Sequence, residues 1–122
     1  MRILVAEDEI DLAEALKMML EMQKYSVEVV HDGADALFYA ESTPYDLILL
    51  DVMMPKISGF DVLDILRNTP ETANVRIVML TALSQPKDKE RAESLGVDDY
   101  LVKSQVVIGD VVARVKHHLN MQ

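Results

Sequence analysis

Four apolar residues in unbroken succession, Leu47-Ile48-Leu49-Leu50, run straight into a carboxylate at Asp51, and Pro55 follows four positions later. The run is too short for an ordinary helix. Apolar on both alternating faces, it suits a strand buried on both sides of a sheet. Such strands belong to parallel sheets covered by helices, and there ligands gather at the carboxyl ends of the strands. Asp51 therefore stands where a site would form, although Asp also closes strands and opens turns for purely local reasons.

The rest of the chain repeats this plan. Arg2 to Ala6 reads as a first strand, followed by Glu7-Asp8-Glu9 and a helix from about Glu9 to Met22 on the stripe Leu12, Ala15, Leu16, Met19, Leu20. Ser26 to Val30 is a second strand. Asp32 can cap a helix expected to bury Ala34, Leu37 and Phe38. After the Leu47–Leu50 strand, Ser58 and Asp61 have capping-box spacing, with Asp in place of the usual Glu. They open a helix of Phe60, Val62, Leu63, Ile65 and Leu66, closed by Pro70. Val75 to Leu80 is a fourth strand ending on Thr81-Ala82. The helix from Pro86 has only Ala92 and Leu95 for a core face and is expected to be the most mobile. Gly96 suits its C-terminal end. Asp99 to Val102 is a fifth strand ending on Lys103, and Ile108, Val111, Val112, Val115 and Leu119 mark a last helix whose start Gly109 blurs. Strand and helix alternate with short links, which is the pattern of one α/β domain with a parallel sheet and helices on both faces.

Composition narrows the function. At 122 residues the chain has room for a single core. It has no cysteine, so disulfides and thiolate metal sites are excluded. No apolar run reaches membrane-spanning length, no signal peptide is expected, and a cytoplasmic location fits. The net charge of −9 argues against this domain binding nucleic acid or an anionic membrane directly. His31, His117 and His118 are expected at the surface, and a zinc site is not. Met18, Met19 and Met22 read as packing or surface residues.

In a parallel sheet all strand C-termini share one edge. That edge would collect Glu7, Asp8, Asp51, Thr81 and Lys103. Each has an ordinary explanation: a helix cap for Asp8, a solvated acid for Glu7, a strand-end Thr81, a surface Lys103. Their joint placement asks for another. Three neighbouring carboxylates repel, so one protonates or a cation binds. All-oxygen ligands point to a hard ion, Mg²⁺ above all. Mg²⁺ beside a carboxylate suits phosphoryl transfer, with Asp51 as nucleophile, Lys103 as a point charge and Thr81 as a donor.

These residues carry a family resemblance. Glu7-Asp8, Asp51-Val52-Met53-Met54-Pro55, Lys56-Ile57-Ser58-Gly59, Thr81-Ala82, Gly96-Val97-Asp98-Asp99-Tyr100 and Lys103, in this order over essentially residues 1–122, make the chain similar to receiver domains of two-component response regulators, the chemotaxis regulators among them. The resemblance implies a doubly wound, flavodoxin-like five-stranded parallel sheet of order 2-1-3-4-5 with five helices. It implies that Asp51 accepts a phosphoryl group from the phosphohistidine of a sensor histidine kinase or a phosphotransfer protein. Asp8, Asp51 and the Met53 backbone carbonyl would bind Mg²⁺, with Glu7 acting through water and Mn²⁺ able to substitute. Thr81, Ala82 and Lys103 would contact the phosphoryl group. Thr81 and Tyr100 would be the switch pair, acting on the surface around the fourth helix, fifth strand and last helix toward an output domain or protein. The only catalysis implied is of the domain's own phosphorylation and dephosphorylation.

Ser104 stands where the family usually has a proline after a cis bond. A cis Lys103–Ser104 bond would cost about 2.5–4 kcal/mol, so a trans bond is expected. Bulky Met53 and Leu83 predict slow self-hydrolysis. The charged fourth helix, with Asp98, Asp99 and Arg114 near it in the pattern, suggests a phosphorylation-dependent symmetric dimer. Competing readings fare less well. A phosphatase commonly needs a second acid two positions past its nucleophile, and Met53 is there. A dinucleotide binder needs G-x-G-x-x-G where Glu7-Asp8-Glu9 stands. A docking module that has abandoned phosphate remains a narrower alternative.

Overall fold

A computed structural model describes residues 1–120. Five strands, β1 (Arg2–Ala6), β2 (Ser26–Val30), β3 (Leu47–Leu50), β4 (Arg76–Thr81) and β5 (Asp99–Val102), form one sheet in the order β2-β1-β3-β4-β5. All four pairings are parallel. The five α-helices are α1 (Ile10–Met22), α2 (Gly33–Ser42), α3 (Gly59–Arg67), α4 (Pro86–Ser94) and α5 (Ile108–Asn120). No helix among the described residues is long and apolar enough to cross a membrane.

The period of two along the strands sends side chains to two separate cores. Ile3, Val5, Leu47, Leu49, Val78, Leu80 and Leu101 face α1 and α5. Leu4, Ala6, Ile48, Leu50, Ile77 and Met79 face α2, α3 and α4. Every residue of β3 is buried on one side or the other, so the central strand has no freedom to slip.

Local chemistry sets the helix boundaries. The Asp32 carboxylate accepts from the Asp35 N–H at 2.8 Å and starts α2. The Ser58 hydroxyl accepts from the Asp61 N–H at 3.4 Å and starts α3. Pro86 occupies the first turn of α4, where its missing N–H costs nothing. At the entrance to α5 the Val107 N–H donates to the Asp110 carboxylate at 3.0 Å, which places the start at Ile108. Gly96, at φ +96°, turns the chain out of α4 into β5.

Three expectations need correction. Phe38 is 67% exposed. In α2 the inward stripe is Gly33, Ala36 and Ala40, small residues that let the helix lie close to the sheet and turn Phe38 outward. His118 is buried, on the same stripe as Val111 and Val115, and its Nε2–H donates to the Asp99 carboxylate at 2.9 Å. The fourth strand begins one residue late, at Arg76, because the Arg67 guanidinium takes the Val75 carbonyl at 2.7 Å.

Candidate functional site

Parallel register brings the strand ends level. Ala6 aligns with Leu50, and Thr81 with Val102. The residues that follow, Glu7, Asp51 and Lys103, therefore emerge along one edge beside Thr81. Glu7, Asp8 and Asp51 each bring a carboxylate oxygen to within 4.8 Å of the others. Glu7 and Asp51 are buried and Asp8 is exposed. A set of three carboxylates with an open side fits a hard divalent cation that keeps some of its waters.

The loop after β3 is shaped for Asp51. The Met53 N–H donates to Asp51 Oδ1 at 3.2 Å. The Gly59 N–H donates to the Val52 carbonyl at 2.8 Å. A Cβ on Gly59 would lie 2.1 Å from the Asp51 carbonyl oxygen, so only glycine lets α3 press this close beneath the carboxylate. Asp51 Oδ2 faces the Lys103 amine at 3.0 Å.

Lys103 is the hub. Its Nζ lies 2.9 Å from Glu7 Oε1, 3.0 Å from Asp51 Oδ2 and 3.2 Å from Glu9 Oε2. All peptide bonds among the described residues are trans, Lys103–Ser104 included, and Lys103 opens a short 3₁₀ turn, Lys103–Gln105. Serine in place of proline does not stop the amine from reaching Asp51.

The electrostatics follow from burial. Glu7 is pushed up to about 7 by desolvation, which outweighs the Glu9 N–H and the Lys103 amine that favour its ionised form. Lys103 is held above the ordinary lysine range. Burial works against its charge, but the carboxylates of Glu7 and Asp51 more than offset it. The amine is thus a fixed positive charge beside an acid that gives up its proton near neutrality.

Thr81 and Tyr100 meet on one residue. The buried Thr81 hydroxyl accepts from the Leu83 N–H at 3.3 Å, and the Tyr100 hydroxyl donates to the Leu83 carbonyl at 2.8 Å. Tyr100 is already turned inward, only 9% exposed. Its hydroxyl is pushed up to about 12, by burial first and then by the charges of Asp88 and Asp51. Ala82, between Thr81 and Leu83, is exposed.

Residues 3–116 match the family model of the response regulator receiver domain. The chain belongs to that family. The receiver domain is 46% identical over 103 residues to the transcriptional regulatory protein DltR of Streptococcus agalactiae, a match covering 84% of this chain and 45% of that protein. It is 39% identical over 121 residues to the response regulator ArlR of Staphylococcus saprophyticus, covering 99% and 53%. The receiver domain thus spans about half the length of these relatives. Among solved structures, it superposes on the Francisella response regulator 1452 receiver domain with a TM-score of 0.89 at 33% identity, covering 97% and 95% of the two chains. The activated N-terminal receiver domain of Klebsiella pneumoniae RstA gives 0.90 at 26% identity, covering 99% and 100%. A receiver domain is a signalling module of two-component systems rather than a metabolic enzyme.

Two participants in the receiver's rim escaped sequence reasoning. The sequence places Glu9 in the acidic run at the start of α1 and gives it no role toward Lys103, yet its carboxylate reaches that amine. Its membership in the acidic run was the available signal. Leu83 is expected from the sequence only as an obstacle to water, and its backbone bonds both Thr81 and Tyr100. A backbone contact leaves no trace in side-chain identity.

Proposed function

We propose that the domain is a phosphorylation-controlled switch with Asp51 as phosphoacceptor. The observation that carries this reading is the convergence of Glu7, Asp8 and Asp51 within 4.8 Å of one another around an edge where Lys103 already holds Asp51 at 3.0 Å. Asp8, Asp51 and the Met53 carbonyl would hold Mg²⁺, with Glu7 acting through water and Mn²⁺ substituting. When bound, the ion supplies positive charge to the oxygens of the incoming phosphoryl group.

The chain's own residues do the rest. An Asp51 carboxylate oxygen attacks the phosphorus of a phosphohistidine on a histidine kinase or phosphotransfer protein. The P–N bond breaks and its electron pair returns to the imidazole, leaving an acyl phosphate. The Lys103 amine passes from the Asp51 carboxylate to a phosphoryl oxygen. The Ala82 N–H and the Thr81 hydroxyl, released from Leu83, donate to the others. Moving Thr81 frees one side of Leu83 while Tyr100 keeps the other, so the loop before α4 re-forms around the phosphoryl group.

The new group adds roughly −1.5 to −2 of charge. Reversing a 1:99 population needs about 5.5 kcal/mol of differential stabilisation. The responding surface is α4, β5 and α5, acting on an output domain or protein. Asp99 is closed within the chain by a bidentate bond from Arg114 at 2.8 and 2.9 Å, so a phosphorylation-dependent dimer that used these groups would have to exchange that pair.

The test is to incubate the protein with a small phosphodonor and Mg²⁺ and measure its mass. A single phosphoryl adduct, absent from Asp51→Asn, is expected. Continuous phosphate release would indicate an enzyme instead, and no adduct would indicate a docking module. The bulk of Met53 and Leu83 gives the adduct a lifetime well beyond seconds at room temperature.

A further inference from the structure

Lys103 carries its amine on a long flexible stem, and no proline follows to stiffen the backbone at its base. Two of the carboxylates that hold the amine belong to the site described above. The third, Glu9, has no place in that scheme, and its geometry is unusual for its position. Glu9 is the N-cap of α1, where a short polar side chain would bond the free N–H groups of the first turn. The Glu9 side chain makes no such bond. It extends across the rim to Lys103 at 3.2 Å. Its own N–H donates to Glu7 Oε2 at 3.0 Å, while Glu7 Oε1 faces the amine at 2.9 Å. Glu7 and Glu9 thus hold Lys103 as a linked pair, one from inside and one from outside. The Glu9 side chain is 61% exposed against 3% for Glu7 and Asp51. An ion pair so open to water adds little to fold stability.

A lysine amine and a divalent cation are both positive and seek the same carboxylate oxygens. With only Glu7 and Asp51 for partners, the amine would sit across the acidic cluster and oppose the cation. A carboxylate on the outer lip offers the amine another partner without letting it leave Asp51. We propose that Glu9 is a positioning residue for Lys103, drawing the amine outward so that the acidic cluster stays open to a divalent cation and the amine stays beside the phosphoacceptor. This inference rests on the phosphoacceptor reading above.

A double-mutant cycle tests it, with Mg²⁺ titrated calorimetrically into the wild type, Glu9→Gln, Lys103→Met and the double variant, and phosphorylation followed by mass. Glu9→Gln is expected to weaken Mg²⁺ binding roughly five- to tenfold when Lys103 is present and less than about twofold in the Lys103→Met background, a coupling ordinary for residues in contact. Glu9→Asp separates this role from a structural one. It keeps the charge and caps α1 better, but is too short to reach the amine. A higher Tm with Mg²⁺ binding as weak as in Glu9→Gln is expected. An equal loss in both Lys103 backgrounds would mean that Glu9 acts through its own charge, and would overturn the proposal while leaving Asp51 phosphorylation standing. Unchanged Mg²⁺ binding in both Glu9 variants overturns it as well. A wild type that neither binds Mg²⁺ nor takes a phosphoryl group on Asp51 defeats the wider reading and this inference with it.

Discussion

Helices α3 and α4 are both nine residues long and pack on the same face of the sheet, yet they are built in opposite ways. In α3 five residues are buried, Gly59, Phe60, Val62, Leu63 and Leu66. In α4 only Ala92 is. α3 begins at Gly59, pressed against the Asp51 carbonyl, so its burial fixes the carboxylate in place. α4 follows the Thr81–Leu83 loop and is held by few contacts. One is the Arg91 guanidinium over the Phe60 ring at 4.3 Å. Another lies upstream, where Tyr100 grips Leu83. On the switch reading proposed above, the site needs a carboxylate that does not move, and the response needs an element that does. The fold assigns these demands to neighbouring helices by the number of apolar side chains each receives.

That contrast can be broken from the α3 side with the largest effect. Leu63→Ala removes a fully buried side chain and should cost about 2–5 kcal/mol in denaturant unfolding. Substitutions at exposed positions of α4, such as Lys89→Gln, should stay within about 0.5 kcal/mol. A comparable loss from both would mean that α4 is as firmly built as α3. The contrast is sharpened by Tyr100→Phe, which deletes the bond to the Leu83 carbonyl and should cost about 0.5–1.5 kcal/mol. Hydrogen exchange should rise in residues 82–95 and stay unchanged in α3. A smaller effect than that of Tyr100→Phe belongs to Arg91→Ala. Losing a half-open cation–π contact should cost about 0.5–1 kcal/mol and raise exchange in α4 alone.

Much of this division was legible in the sequence, because apolar periodicity counts core contacts directly. The poverty of α4 was visible in Lys87-Asp88-Lys89-Glu90-Arg91, and the sheet in its apolar runs. The errors came where size or neighbours override hydrophobicity. Phe38 looks like core, but the buried positions of α2 are Gly33, Ala36 and Ala40, and Phe38 falls off that stripe. His118 looks like surface, but it falls one turn from Val115 on the inward stripe, where the Asp99 carboxylate waits. The acids of the rim were legible as a group. Which of them holds Lys103 was not, because three consecutive acids give no indication of which way each will turn.

The hub of the site also has an order in time. Lys103 lies fifty-two positions after Asp51 and ninety-four after Glu9, and the chain is made from its amino end. Until that lysine leaves the ribosome, Glu7 and Asp51 have no amine to offset their repulsion, and β5 cannot add to the sheet. A nascent chain stalled before residue 103 would have to rely on dissolved cations to quiet the same acids, so a segment made later completes the charge balance of one made earlier.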